Sequence, residues 1–130
     1  MSTQNKIYFL VKFHFEQNLN DKELIRRTFN TLILPQYFIL GIKTLYKIVD
    51  NIWYLAGDKS TDYNFYTKRS ILASIYIIAL MRWLNDESQN QEKTKKLIKK
   101  LLNKTSYIPK IKNKFNLFIN KSLGNIKFNN

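Results

Sequence analysis

Cysteine is missing altogether from the 130 residues. That excludes a disulfide framework, a thiolate nucleophile and any Cys-ligated zinc. A single histidine, His14, leaves no two-His metal site and no di-iron centre built from Glu-x-x-His pairs. It reads as a partly exposed or hydrogen-bonded structural residue. Glycine occurs only at 41, 57 and 124, too scattered for a Walker loop or a dinucleotide fingerprint, and no nucleophile elbow is present. With 3 Gly and 2 Pro, a sheet with many turns is disfavoured and an all-helical chain favoured. Ile71 to Met81 is largely apolar, but Arg82 ends it short of the ~20 residues a membrane span needs. Ile7 to Val11 is too short for the core of a signal peptide. Acids are also missing from one region: residues 93–130 hold 11 Lys and no Asp or Glu.

Against those absences stands a hydrophobic content of 45%, a third of it aromatic. That suits one domain with a single core and argues against disorder. The net charge of +13 is uneven, with +11 on residues 93–130 and +2 on residues 1–92. A basic tail on a near-neutral body predicts an anionic partner, either phospholipid headgroups or nucleic acid. Near the start, Ile7, Leu10, Val11 and Phe15 form a helical stripe. The same stretch, about 6–17, also alternates through Phe9, Val11, Phe13 and Phe15, which suits a strand. Asp21 can cap a helix over 22–34, with Leu24, Ile25, Thr28, Leu32 and Leu34 inward and Arg26 and Arg27 outward. Pro35 breaks that helix and opens the next, over 36–56. Further helices are expected over 62–85, 93–104 and 111–123, with Asp86 to Asn90 a polar linker.

The chain is organised around residues 50–76. Leu45, Ile48, Val49, Ile52 and Ala56 share one helical face before a corner. Gly57 supplies the left-handed backbone that closes the helix, and Asp58, Ser60, Thr61 and Asp62 offer oxygens for the amides of the next. Asp58 and Asp62 could also be spaced as an acid/base pair, but corner hydrogen bonds explain them more cheaply. The expectation is therefore a protein without catalysis of its own.

Asp50, Trp53, Ala56-Gly57-Asp58, Ser60-Thr61-Asp62, Asn64, Tyr66-Thr67-Lys68-Arg69, Leu72-Ala73 and Ile75-Tyr76 follow each other without a gap. In this the stretch resembles the signature of the ubiquinone-biosynthesis accessory protein family, the ninth Coq protein. Asn51 and Phe65 stand where that family has a second acid and a Trp. The resemblance covers about residues 30–123. It implies an all-α bundle similar to the ligand-binding half of TetR-type regulators, over residues 1–107, that dimerises through helices of residues 62–104. Too few residues precede it for the family's helix-turn-helix-like part, so DNA reading by a recognition helix is not expected.

The resemblance also implies a lipid-binding accessory role, with a polyprenyl quinone intermediate enclosed by Phe38, Leu45, Ile52, Phe65, Tyr66, Leu72, Ile75 and Ile78. Without it, such a set reads as packed core. No cofactor is expected beyond a bound isoprenoid or phospholipid. The implied partner is the di-iron demethoxyubiquinone hydroxylase, met by Tyr46, Asp50, Trp53 and Tyr54. Leu55 stands where the family commonly has Tyr, and Trp53 suits a partner anchor or a core residue equally.

In residues 108–130, Ile108, Ile111, Phe115, Phe118, Ile119 and Leu123 form an apolar face flanked by Lys110, Lys112, Lys114 and Lys121. Such a helix either lies flat on an anionic membrane or packs on its own core. The resemblance favours the membrane, at the cytoplasmic face of a bacterial inner membrane or the matrix side in a mitochondrion. The rival is a basic nucleic-acid-binding or ribosome-associated protein using residues 93–121, with binding that falls steeply with salt.

Overall fold

A computed structural model describes residues 2–59, 62–104 and 121, and the side chains of all these except 62–64. Among the described residues every element is helical: α1 Thr3–Gln17, α2 Lys22–Leu32, α3 Phe38–Leu55, α4 Asp62–Leu84 and α5 Glu92–Lys104. Short 3₁₀ turns at Leu19–Asp21, Pro35–Tyr37 and Gln89–Gln91 join them. The helical expectation for the first segment prevails over the strand. Ile7, Val11 and Phe15, at four-residue steps, are buried, whereas Phe9 and Phe13 of the alternating set are exposed. Ser2 starts α1 by accepting from the Asn5 amide at 3.2 Å.

The core draws on α1, α3, α4 and α5. Val49 and Ile52 of α3, Ala56 at its C-cap, Leu72, Ile75, Ala79 and Trp83 of α4, and Ile98 and Leu102 of α5 belong to one buried cluster with Ile7, Val11 and Phe15 of α1. The Phe15 ring stacks on both Tyr76 and Trp83, with centroids 5.3 and 5.2 Å away. α4 buries side chains around much of its circumference, which is why its sequence is apolar at most positions between Ile71 and Leu84. α2 contributes no fully buried residue. Of its expected inward set, Leu24 and Thr28 are exposed, as is Leu34 just beyond the helix, because α2 leans against the bundle along one narrow edge. Asp21 makes no side-chain cap either; the 3₁₀ turn occupies that entry.

Three junctions fix the path. α3 ends in a Schellman arrangement: Gly57 at φ +86° donates to the Tyr54 carbonyl and Asp58 to the Trp53 carbonyl, both at 3.0 Å. Capping of α4 by Ser60, Thr61 and Asp62 lies outside the described residues and side chains. At the α2–α3 elbow, a Cβ on Gly41 would stand 3.0 Å from the Leu32 carbonyl oxygen, so glycine permits the close crossing there.

The third junction corrects the reading of residues 86–90 as a plain linker. Asp86 is buried and its carboxylate accepts from the Ser88 amide at 2.8 Å, the Thr94 amide at 3.0 Å and the Thr94 hydroxyl at 2.7 Å, with the Ser88 hydroxyl as a fourth donor. Burial alone would raise its pKa. The donors outweigh that and hold it well below the usual carboxylate range. Asp86 is thus the anchor that starts α5.

Candidate functional site

α2 and α3 diverge from their elbow, and the gap between them is backed by the end of α1 and by α4. The result is an apolar groove of about 490 Å³. Ile25, Phe29 and Leu32 line one wall, and Phe38, Ile42, Leu45 and Ile48 the other, with Ile77 and Leu80 behind them. Its volume is that of a small-ligand pocket. Few polar groups reach it, and most are committed elsewhere. Thr28 and Thr44 each donate to the carbonyl four residues back at 2.9 Å, and Asn18 donates to the His14 carbonyl at 2.7 Å.

What remains is one polar pair. His14 Nε2 and the Tyr76 hydroxyl are 2.8 Å apart, and both line the groove. Burial lowers the His14 pKa and raises that of Tyr76, so both groups are neutral at neutral pH. A neutral donor–acceptor pair at the back of an apolar groove matches a carbonyl, phenol or quinone oxygen. It carries no charge to pair with an ion. Among the described residues no cluster of His, Asp or Glu could hold a metal.

The residues expected to enclose a lipid divide into three groups. Phe38 and Leu45 line the groove. Ile52, Leu72 and Ile75 belong to the closed core instead. Tyr66 and Ile78 are exposed, and Phe65 stacks on the Arg69 guanidinium, 3.5 Å from its centroid. The groove therefore sits towards the α2–α3 elbow, away from the α3–α4 corner where the sequence placed it. Sequence reasoning missed Phe29, Ile42, Ile77, His14 and Tyr76. Ile25 and Leu32 did stand out on an inward stripe, but 62 residues separate His14 from Tyr76 and no pattern joins them.

The corner motif is a clamp. Arg69, buried, donates from Nε to Asp50 at 2.7 Å and from Nη1 to Asp58 at 3.0 Å. Lys68 reaches the other oxygen of Asp58 at 2.8 Å. Burial opposes the Arg69 charge, but these hydrogen bonds outweigh it and raise the pKa. Trp53 belongs to the same clamp: its Nε1 donates to the Lys68 carbonyl at 3.0 Å, and the Lys68 ammonium lies 5.3 Å from a ring centroid. Of the four residues expected to meet a partner, Asp50 and Trp53 thus hold the corner, while Tyr54 at the end of α3 and Tyr46 in its middle are exposed, Tyr54 at 73%. The expected membrane-docking residues Ile108, Lys110, Ile111, Lys112, Lys114, Phe115, Phe118, Ile119 and Leu123 lie outside the described residues; Lys121 is helical and exposed.

Comparison with known proteins adds to this geometry. The COQ9 family model matches residues 39–108, which take in α3, α4, α5 and the whole clamp. "Ubiquinone biosynthesis protein COQ9, mitochondrial" of Rattus norvegicus is 36% identical over 77 residues, 59% of this chain and 25% of its own length. The protein of the same name in Bos taurus is 40% identical over 68 residues, 52% of this chain and 21% of its own. "Probable ubiquinone biosynthesis protein coq9, mitochondrial" of Dictyostelium discoideum is 38% identical over 60 residues, 46% and 20% respectively. The matched stretch thus spans a quarter or less of each of these relatives. His14 and the α2 wall of the groove precede the family match.

Proposed function

Because the chain belongs to the COQ9 family, we propose that it serves ubiquinone biosynthesis as a lipid-binding accessory without catalysis of its own. The groove takes the ring and first isoprene units of a polyprenyl quinone intermediate, and the protein presents that cargo to the demethoxyubiquinone hydroxylase at the surface of Tyr46 and Tyr54. The observation that carries this reading is the groove: its walls are largely apolar, its Asn18, Thr28 and Thr44 side chains bond to backbone carbonyls, and the neutral His14–Tyr76 pair lies among its lining. A quinone or phenol ring would hydrogen-bond that pair, while the tail covers Phe29, Leu32 and Leu45.

The physical motive is the tail. Exposing apolar surface to water costs about 25 cal/mol per Å², so an enzyme working at the membrane surface gains from a carrier that shields the first units. About 490 Å³ holds only the head end of a long polyprenyl chain. The remainder has to leave through the mouth between α2 and α3. The relatives carry "mitochondrial" in their names, which supports a mitochondrial place of work; the matrix side of the inner membrane is our assignment within it.

Delipidated protein titrated with a ubiquinone bearing two isoprene units tests the reading. Saturable one-to-one binding, followed by quenching of tryptophan fluorescence, is expected. Signal that only rises with detergent partitioning and never saturates would contradict it.

A further inference from the structure

The α2–α3 elbow is the most apolar exposed feature among the described residues. Ile33, Leu34, Tyr37, Phe38, Ile39 and Leu40 succeed one another around the bend with only Pro35 and Gln36 between, and each is more than two-fifths exposed, Ile39 reaching 65%. Leu19–Leu32 and Pro35–Leu55 meet there at 97°, and together they hold an apolar stretch of membrane-compatible length and composition. No single helix among the described residues does so. The elbow is therefore a wedge, and the core has no use for its side chains.

Charge identifies what meets the wedge. Residues 24–49 contain no Asp or Glu; Arg26 and Arg27 pair with Glu23 just before them, and Lys43 and Lys47 are the cations that bear on the wedge. Lys43 and Lys47 are exposed and follow Ile39 and Leu40 up the same side of α3. At a rise of about 1.5 Å per residue they stand about 6 and 12 Å above Ile39 along the helix. An apolar tip buried about 5–10 Å into the boundary between headgroups and acyl chains puts such lysines among the phosphates. A second copy of the chain fits less well, because a two-fold pairing through a convex tip would bring these cations towards each other.

We propose that the α2–α3 elbow inserts into the headgroup layer of an anionic bilayer, with Lys43 and Lys47 on lipid phosphates, and opens the groove mouth directly onto the acyl region. Phe38 and Ile42 belong to both the elbow and the groove wall, so a tail leaving the groove there passes into lipid without crossing water. Insertion itself does not depend on what the groove binds; only the route for the tail rests on the lipid reading.

The natural absence of cysteine makes the test direct. Leu40→Cys and, as a control on the outer side of α4, Ser74→Cys are each labelled in the full chain with an environment-sensitive fluorophore. They are then mixed with vesicles of phosphatidylcholine alone or with a third phosphatidylglycerol. The expected result is a blue shift and brominated-lipid quenching at position 40, confined to the anionic vesicles, with position 74 unchanged. Ile39→Glu with Leu40→Glu, neither of which lines the groove, should lower vesicle binding at least tenfold while leaving quinone binding intact. Insertion is overturned if the protein floats with vesicles while position 40 stays aqueous, which would assign docking to another part of the chain. It is equally overturned if position 40 is already shifted without lipid and the protein is a dimer, which would assign the elbow to a second copy.

Discussion

Arg69→Met lowers the unfolding free energy by about 3–5 kcal/mol, the usual cost of removing one partner from a buried ion pair. The Arg69 and Asp58 side chains are both 4% exposed, so neither charge can fall back on water. Without the guanidinium, Asp58 keeps Lys68 at 2.8 Å but loses its buried partner. Asp50 and the Phe65 carbonyl lose a donor as well. For a domain of this size each kcal/mol moves the melting temperature by several degrees, so the circular-dichroism melt should fall by 10 °C or more. Asp50→Asn is the contrast. Its carboxylate is 46% exposed, water replaces much of what is lost, and the expected drop is about 1 kcal/mol or less. A melt for Arg69→Met within two or three degrees of wild type would show that the clamp does not hold the corner.

Thr44→Trp fills the groove and should weaken binding of the short-tailed quinone at least tenfold. Thr44 is exposed on α3, its hydroxyl is bonded to its own helix, and its side chain faces the groove. An indole there takes up space that a ring or isoprene unit needs, and tenfold corresponds to about 1.4 kcal/mol of lost binding. Stability should barely change, because no core contact is removed. Thr28→Trp repeats the block from the opposite wall, where Thr28 is likewise exposed and bonded to its own helix. Unchanged affinity in both variants, with folding intact, would mean that the ligand sits elsewhere.

The two variants touch parts of the molecule that were unequally legible in the sequence. The helices over Lys22–Leu32, Phe38–Leu55, Asp62–Leu84 and Glu92–Lys104, the Gly57 corner and the all-α class follow from local rules: periodic apolar residues, a left-handed glycine and few turn residues; the helix expected over 111–123 lies outside the described residues. The partners of Arg69 were not legible, because a signature gives residue types and not which carboxylate turns inward. Trp53 shows the same limit, since wheel position could not separate an exposed anchor from a ring clamped by Lys68. Asp86 looked like one more polar loop residue, and only the fold brings Thr94 over it. The groove was the hardest to foresee. Its walls come from α2 and α3, whose apolar side chains read like any helix face, and its polar end joins α1 to α4. Apolar periodicity says which residues avoid water; it does not say which of them meet each other and which stay apart to leave room.

The groove is the heart of the functional reading, and photolabelling tests it most directly. A prenylated quinone carrying a diazirine on its first isoprene unit is bound to the protein, irradiated, and mapped by peptide mass spectrometry. Adducts concentrated on the facing walls, at Phe29, Leu32, Ile42 and Leu45, and competed away by unlabelled quinone, are the predicted result. Adducts spread over the surface, or confined to residues outside those walls, would contradict a seat between α2 and α3.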